Sequence, residues 1–280
     1  MFMKIKNLFI IAMTMFVATA CNTVSQKNNQ QPTNKSLVLY YSQINATRTI
    51  AELIKVKVGA DIEEIKLKTP YPTDFNQTIQ QCMEDMKNGT TPEIEALTVD
   101  IANYDTIYLG YPIWFGTFAP PIQTLIDANK FDNKVIVPFC TFGSGGRVNS
   151  VNQLKEKLPS AKIIESYGVR NARLVAADAE LDLFLKVIGA IAGTVENLPN
   201  FSDYRDVTDD DKAIFDLATS NYQMLKMTPK TVSSRLLSDK TEYIFIADNQ
   251  GNDGSVSAVN VFIYKDTTAN AVPEFTAVER

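Results

Sequence analysis

The chain has 280 residues, of which 45% are hydrophobic and 21% charged, with a formal net charge of −5. This composition is typical of a globular protein with one large domain or two ordinary ones, and the negative charge disfavours nucleic acid, whose phosphates need a basic surface. The absence of histidine excludes His-based acid–base catalysis, a Ser-His-Asp triad and His-ligated metal sites, and three cysteines are too few for a zinc or iron–sulfur cluster. We therefore predict no metal site, and we expect any chemistry to depend on a bound organic cofactor.

Residues 1–20 have the pattern of an export signal. Lys4 and Lys6 precede an apolar run at 8–17 that is too short to span a membrane comfortably. The run ends in Ala-Thr-Ala before Cys21, which resembles a bacterial lipoprotein signal, although Ala18 stands where Leu is usual. Residues 21–34 are polar and rich in Asn and Gln, which predicts a flexible tether.

The lipoprotein pattern implies that Cys21 is lipidated and becomes the first mature residue. We therefore expect an extracytoplasmic protein, held on a bacterial membrane by its lipid anchor only, on the periplasmic side or at the cell surface. The alternatives are an ordinary secretory signal peptide, with Cys21 incidental, and, less favoured, a plain transmembrane anchor.

Between residues 35 and 195, short apolar runs alternate with amphipathic segments. The apolar runs predict strands at 36–42, 62–67, 105–109, 135–140 and 162–167. Helical spacing predicts helices from about Thr47, over 78–86, from Pro120, over 150–158 and over 177–191. Strands that alternate with helices fold as a parallel sheet covered on both faces, so we predict an α/β doubly wound domain.

The pattern changes after residue 195, and residues 205–280 predict a second, small α+β domain. A helix over 209–225 is followed by alternating segments that predict antiparallel strands at 232–237, 242–247, 256–264 and 275–278. This order resembles the cystatin-like fold. Segment 235–239 lacks the Gln and Gly of the protease-binding loop of cystatins, so a structural or docking role is favoured over protease inhibition.

Strand 105–109 leads into an aromatic segment. We expect Gly110 and Pro112 to end the strand, which places Trp114, the only tryptophan, in a loop before the helix that starts at Pro120. Open α/β sheets bind ligands at the carboxyl ends of their strands. The indole could therefore stack on a flat ring, or the aromatic residues could simply cap the core.

Two other loops end on the same edge of the predicted sheet. Residues 42–47 put Ser and Thr at the start of a helix, where free N–H groups and the helix dipole favour a phosphate. Residues 141–146 are rich in glycine, which lets a backbone approach a flat ring closely. Each loop alone is also typical of an ordinary helix cap or turn, but the combination of three converging loops is more specific.

These loops carry a resemblance to the flavodoxin-like family, specifically its short FMN-binding proteins, over residues 35–192. Ser42 and Thr47 match the family's phosphate loop, Ser/Thr-x-Thr-Gly-x-Thr, while Ile44 and Asn45 replace its middle Thr and its Gly. Residues 110–114 with Gly116 match the second flavin loop, and residues 141–146 are similar to the third. The resemblance implies a five-stranded sheet of order 2-1-3-4-5.

The resemblance also implies FMN as cofactor, held by two groups of residues. Those expected to hold the phosphate are Ser42, Asn45, Ala46 and Thr47. Those expected to flank the isoalloxazine ring are Pro112, Ile113, Trp114, Phe115, Gly116, Thr141, Phe142, Gly143 and Gly146. Ile44 removes one hydroxyl donor, which predicts FMN binding weaker than is usual in the family, whereas Asn45 can still adopt the left-handed turn.

The function implied is transfer of electrons or hydride through bound flavin at a membrane surface, to a redox partner protein or a small acceptor. The chain could be an FMN-dependent oxidoreductase, linked to NAD(P)H or quinone, or a non-catalytic electron carrier. The alternative is a flavin-free binding or scaffold lipoprotein with the same fold. Tyr71 and Arg170 are candidates for the substrate side of the site or ordinary surface residues, and we expect Cys82 and Cys140 to be free, buried thiols.

Overall fold

A computed structural model of the chain describes residues 35–268 and 270–280. The predicted signal peptide, the tether and Cys21 lie outside the described residues. Within the described part of the chain, no helix is both long and apolar enough to cross a bilayer. The described residues all belong to one compact unit. The domain bounds 35–195 and 205–280 therefore stay predictions.

The first sheet contains the parallel strands that the sequence predicts. Its strands are β1 (Ser36–Tyr40), β2 (Asp61–Glu64), β3 (Thr106–Trp114), β4 (Thr117–Phe118), β5 (Val135–Phe142), β6 (Lys162–Ile163) and β7 (Tyr167–Arg170). The order is β2-β1-β3-β5-β6, with β7 also beside β5 and β4 folded back on β3 as a hairpin. Strand β4 is only the second arm of this hairpin, and β6 and β7 together take the place of the single predicted fifth strand. When β4 is left out and the parallel strands are renumbered, their order is the predicted 2-1-3-4-5.

Helices cover both faces of this sheet. They are α1 (Ala46–Val58), α2 (Phe75–Asn88), α3 (Pro120–Ala128), α4 (Arg147–Lys157) and α5 (Ala177–Val187). Ile54 of α1 and Leu185 of α5 share one buried core, while Cys82 of α2, Ile122 of α3 and Leu154 of α4 belong to the other. The two cores on opposite faces confirm the doubly wound architecture.

Strand β3 is longer than predicted, and the expectation that Gly110 and Pro112 end it was wrong. Gly110 lies inside the strand, and the ring of Phe139 on β5 packs directly against its backbone. A Cβ on residue 110 would stand 2.1 Å from that ring, so the glycine allows close packing and does not form a turn. Pro112 keeps its parallel register with Thr141. Its carbonyl accepts a hydrogen bond from the N–H of Ala119, on the side of the hairpin, so its missing N–H breaks no bond between parallel strands.

The second sheet confirms the small α+β domain. It is antiparallel, with the order β12-β11-β10-β9-β8, and its strands are β8 (Arg205–Asp206), β9 (Lys226–Leu236), β10 (Lys240–Gln250), β11 (Val256–Asp266) and β12 (Glu274–Glu279). Helix α6 (Asp209–Thr219) packs Phe215 against Phe245 in its core. The helix ends six residues before the predicted position 225, because Tyr222 and Leu225 pack on the sheet core instead. The likeness to the cystatin-like fold stays a prediction.

Candidate functional site

Three segments that the sequence singles out lie at the carboxyl ends of β1, β3 and β5, which are neighbours in the sheet. We call them the hydroxyl loop (residues 42–47), the aromatic segment (112–116) and the glycine loop (141–146). The Oγ1 atoms of Thr47 and Thr141 are 2.9 Å apart, which joins the hydroxyl loop to the glycine loop. A Cβ on Gly146 would stand 3.1 Å from the Cα of Gly116, so the glycine loop also touches the aromatic segment. The structure therefore brings the three predicted segments together.

The hydroxyl loop turns tightly into α1. Asn45 has a φ of 63°, the left-handed conformation that the sequence suggests for it. Among the described residues, nothing accepts a hydrogen bond from the N–H groups of Asn45, Ala46 and Thr47. Ser42 accepts a hydrogen bond through Oγ from the N–H of Arg48, at 3.2 Å, which leaves its own hydroxyl proton free to donate. The loop thus offers several donors to one anion.

The electrostatics of this loop are set by Arg48 and Glu64. Arg48 Nη2 lies 2.5 and 2.7 Å from the two carboxylate oxygens of Glu64, and its Nη1 donates to Asn45 Oδ1 at 2.8 Å. The hydrogen bond with Glu64 raises the pKa of Arg48 above its ordinary value. The first turn of α1 contains no acidic residue. An anion at this helix N-terminus would therefore meet the positive end of the dipole without a nearby carboxylate in that turn.

The aromatic segment holds Trp114 between two tyrosines. The half-buried indole makes edge-on contacts with Tyr41 and Tyr71, at centroid distances of 6.0 and 5.2 Å. Phe115 has a φ of 50° and Gly116 a φ of 77°, which form the tip of the β3–β4 hairpin. Because Phe115 is 51% exposed, it is available to a ligand, whereas Trp114 presents only part of its ring.

The glycine loop is buried at its start and open in its middle. Thr141 and Phe142 end β5 inside the core, and Gly143 is exposed. No atom lies within 4 Å of the place where a Cβ would stand on Gly143 or on Gly116. The two glycines therefore leave room beside the backbone that other residues would fill.

A cavity of about 640 Å³ lies beside the aromatic segment and the glycine loop. Its wall on this side includes Ile113, Phe115, Gly116 and residues 143–146. Residues in or beside the second sheet also line the cavity, and we call them the outer wall: Leu225, Asn249, Val259, Val278, Glu279 and Arg280. No local sequence pattern points to this outer wall, because its residues are far from the loops along the chain. No residue of the hydroxyl loop lines the cavity.

Tyr71 and Arg170 are buried, so the interpretation of either as a surface residue was wrong. Each is 4% exposed. Arg170 Nε donates to the carbonyl of Gly143 at 2.9 Å, and its guanidinium stacks on Tyr222 and Phe275, at 4.3 and 4.6 Å from their centroids. Burial lowers the pKa of Arg170 to about 10. Arg170 thus ties the glycine loop to the second sheet.

Cys82 and Cys140 are both free and buried, as predicted. Burial raises the pKa of each thiol, which keeps both in the protonated, unreactive form. Across the described residues, no group of three or more His, Cys, Asp or Glu side chains is arranged to hold a metal ion.

Comparison with known proteins places these loops in a family. The flavodoxin family model matches residues 35–180, which is more than half of the chain. The topology and the three loops define an α/β protein with a flavodoxin-like fold. The chain belongs to the flavodoxin family.

Solved structures of flavoproteins are also similar to part of the chain. A protein from Bacteroides eggerthii DSM 20697 that is considered a flavoprotein is 28% identical, with 55% of this chain and 98% of that chain covered and a TM-score of 0.47. A flavoprotein in complex with FMN from Lactobacillus acidophilus NCFM is also 28% identical, with 53% of this chain and 97% of that chain covered and a TM-score of 0.45. No curated protein matches the chain.

Proposed function

We propose that the chain binds FMN at the three converging segments and transfers electrons or hydride through it. The observation that carries this proposal is the free N–H cradle of Asn45, Ala46 and Thr47, at the start of α1, in a chain of the flavodoxin family. Ala46 and Thr47 are buried, so water has little access to the N–H groups of these two residues, while Asn45 is exposed. A phosphate supplies the acceptors that they lack, and Ser42 can add its hydroxyl.

The ring of FMN fits the second part of the site. The cavity of about 640 Å³ has the size of a small-molecule site, and Gly116 and Gly143 leave space for a flat group to approach the backbone. Phe115 offers an exposed aromatic face beside it. The residues present therefore fit FMN. The other residues of the aromatic segment and the glycine loop that we expect beside the ring are Pro112, Ile113, Trp114, Thr141, Phe142 and Gly146.

Bound FMN would supply reversible one-electron and hydride chemistry. The chain's own part is to bind and orient: the hydroxyl loop holds the phosphate, the aromatic segment and the glycine loop flank the ring, and their apolar side chains exclude water. Ile44 is 65% exposed and offers no donor where the family has a hydroxyl, so we expect the affinity for FMN to be lower by about tenfold than with a Thr at this place.

We further propose that this chemistry takes place at a membrane surface outside the cytoplasm, with the protein anchored through lipid on Cys21. The support is the pattern of residues 1–34 alone. Metabolic labelling with a radioactive fatty acid tests it: the expected result is label on the wild-type chain and none on Cys21→Ala. Equal labelling of the two would contradict the anchor.

Titration with FMN tests the main proposal. On the chain from residue 22 onward, we expect flavin absorption bands after purification or on addition of FMN, with quenching of the fluorescence of Trp114, the only tryptophan. Trp114→Ala should weaken binding, measured by the flavin's own fluorescence. Tyr204→Ala, which changes an exposed aromatic residue outside the three segments, is the control. If saturating FMN changes neither spectrum, the chain is a flavin-free binding or scaffold protein.

The same loaded protein separates an enzyme from an electron carrier. Direct oxidation of NAD(P)H or of a quinol, followed by bleaching of the flavin bands, indicates an oxidoreductase. Bleaching that occurs only when a reducing partner protein is added indicates an electron carrier.

A further inference from the structure

The glycine loop is in direct contact with the last strand of the chain. The N–H of Val278 donates to the carbonyl of Ser144 at 2.8 Å, and Gly145 pairs with Val278 in a parallel bridge. A Cβ on Gly145 would stand 1.7 Å from the carbonyl oxygen of Val278. Because any other residue would collide with this backbone, Gly145 lets β12 reach the loop.

Glu279 fixes the end of the same loop. It is 5% exposed, and its two carboxylate oxygens accept hydrogen bonds from the N–H groups of Arg147 at 3.1 Å and Val148 at 3.3 Å. These are the first two residues of α4, where a carboxylate is favourable beside the helix dipole. Glu279 therefore supplies acceptors for two N–H groups that have no acceptor within the helix.

The middle of the loop is linked to the second sheet through Arg170 of β7. Arg170 donates to the carbonyl of Gly143 and, through Nη1, to the carbonyl of Phe275 on β12. Every residue of the segment 143–148 except Gly146 thus has a partner that is on β12 or is Arg170, which contacts β12. The same sheet also supplies the outer cavity wall, with Leu225, Asn249 and Val259.

We propose that the ligand site is composite: β12, through Val278 and Glu279, holds residues 143–148 in the conformation that lines the cavity, and the second sheet forms the cavity's outer wall. Glu279 is a positioning residue in this arrangement. The identity of the ligand as FMN rests on the proposed function, but the holding of the loop does not.

Amide hydrogen exchange of the chain from residue 22 onward, without FMN, tests the holding of the loop. In Glu279→Gln one oxygen can still accept, but the amide nitrogen faces an N–H donor, so one charge-assisted hydrogen bond is lost. We expect exchange at Arg147 and Val148 to be faster by about tenfold. Glu196→Gln, the same change at an exposed residue, should leave this exchange as in the wild type. Unchanged exchange in Glu279→Gln would overturn the proposal, and a far-UV spectrum like that of the wild type shows that the variant is folded.

FMN titration of the same variants tests the link to the ligand. Asn249→Phe projects a ring from the outer wall, so we expect the Kd for FMN to rise by about tenfold, and Glu279→Gln to raise it by roughly threefold to tenfold. Asn252→Phe, in the exposed turn between β10 and β11, is the control.

The two measurements can contradict the two parts of the proposal independently. If exchange accelerates but both variants bind FMN like the wild type, the composite site is wrong for this ligand. If the wild type does not bind FMN at all, the proposed function is wrong, and the exchange result alone decides whether β12 holds the loop.

Discussion

Asn45 shows how one residue sets the shape of the hydroxyl loop. Its φ of 63° suits Gly or Asn, whereas a β-branched residue clashes with its own backbone there. We expect Asn45→Gly to keep the free energy of unfolding within about 0.5 kcal/mol and Asn45→Val to lower it by about 1–2 kcal/mol. Urea unfolding followed by Trp114 fluorescence measures both.

Asn76→Val is the control for this substitution, because Asn76 is an exposed residue of α2 with an ordinary helical backbone. If Asn45→Val costs no more than this control, the left-handed conformation of Asn45 does not matter for stability.

Two buried tyrosines allow an opposite pair of predictions. The buried hydroxyl of Tyr71 has no partner at hydrogen-bond distance among the described residues, and only the weakly polar thiol of Cys82 lies beside it; burial and then this thiol raise the pKa of Tyr71. The hydroxyl of Tyr111 lies 3.2 Å from Ser150 Oγ. Tyr71→Phe should therefore leave the protein equally stable or stabilise it by up to about 1 kcal/mol, while Tyr111→Phe should destabilise it by about 1 kcal/mol. Thermal unfolding in parallel decides, and equal losses for the two would contradict this view of Tyr71.

At the scale of elements, the start of α6 depends on one carboxylate. Asp211 accepts hydrogen bonds from the guanidinium of Arg205 at 2.5 and 3.0 Å and from the N–H of Thr208 at 2.9 Å. The Arg205 hydrogen bond, with those from Thr208, lowers the pKa of Asp211 from 3.8 to about 2. Because the folded pKa lies below the unfolded one, the stabilisation is present above pH 4 and is lost as the pH falls to about 2.

The lowered pKa of Asp211 corresponds to a stabilisation of the folded state by about 2 kcal/mol at neutral pH. We expect Asp211→Asn to remove most of it and to flatten the dependence of the unfolding free energy on pH between about 4 and 2. Asp210→Asn, on the exposed side of the same first turn, should change stability by less than about 1 kcal/mol. Urea unfolding at a series of pH values gives both quantities, and a steep acid slope that persists in Asp211→Asn would refute the assignment.

At the scale of the whole molecule, β12 belongs to two cores at once. Ala277 packs against the core of the first sheet, while the next residue, Val278, packs against that of the second. The buried guanidinium of Arg173 adds a bridge, with Glu180 at 2.7 Å and Glu274 of β12 at 2.6 Å. These shared contacts indicate that the two sheets stabilise each other.

We therefore expect one cooperative unfolding transition for the chain from residue 22 onward. Trp114 fluorescence, which reports on the first sheet, and far-UV circular dichroism, which reports on both sheets, should give the same midpoint in urea. Arg173→Leu should lower this midpoint and separate the two probes, because Glu180 and Glu274 lose their common partner. Lys230→Leu breaks an ion pair within the second sheet only and should keep the probes together. Separate midpoints in the wild type would show that the sheets unfold independently.

The sequence by itself determined the elements of the first sheet, and the resemblance of its loops to the flavodoxin-like family implied the order of the strands. Apolar runs and helical spacing are local properties, so they identify β1, β5 and all five helices of this part of the chain within a few residues. The left-handed turn at Asn45 is also local, because it follows from the conformations that one residue can adopt. For the same reason the three segments of the site could be found before their geometry was known: parallel strands put their carboxyl ends at one edge.

Tertiary structure alone decided the features that join distant residues. Gly110 lies within β3 because Phe139 packs against it, and no local pattern distinguishes this from a strand-ending glycine. Arg170 is buried because Tyr222 and Phe275 stack on it, although its own neighbours in the chain are compatible with a surface position. The outer wall of the cavity and the role of Glu279 depend on β12 reaching the glycine loop. Such contacts follow from the packing of the two sheets, which short-range spacing does not encode.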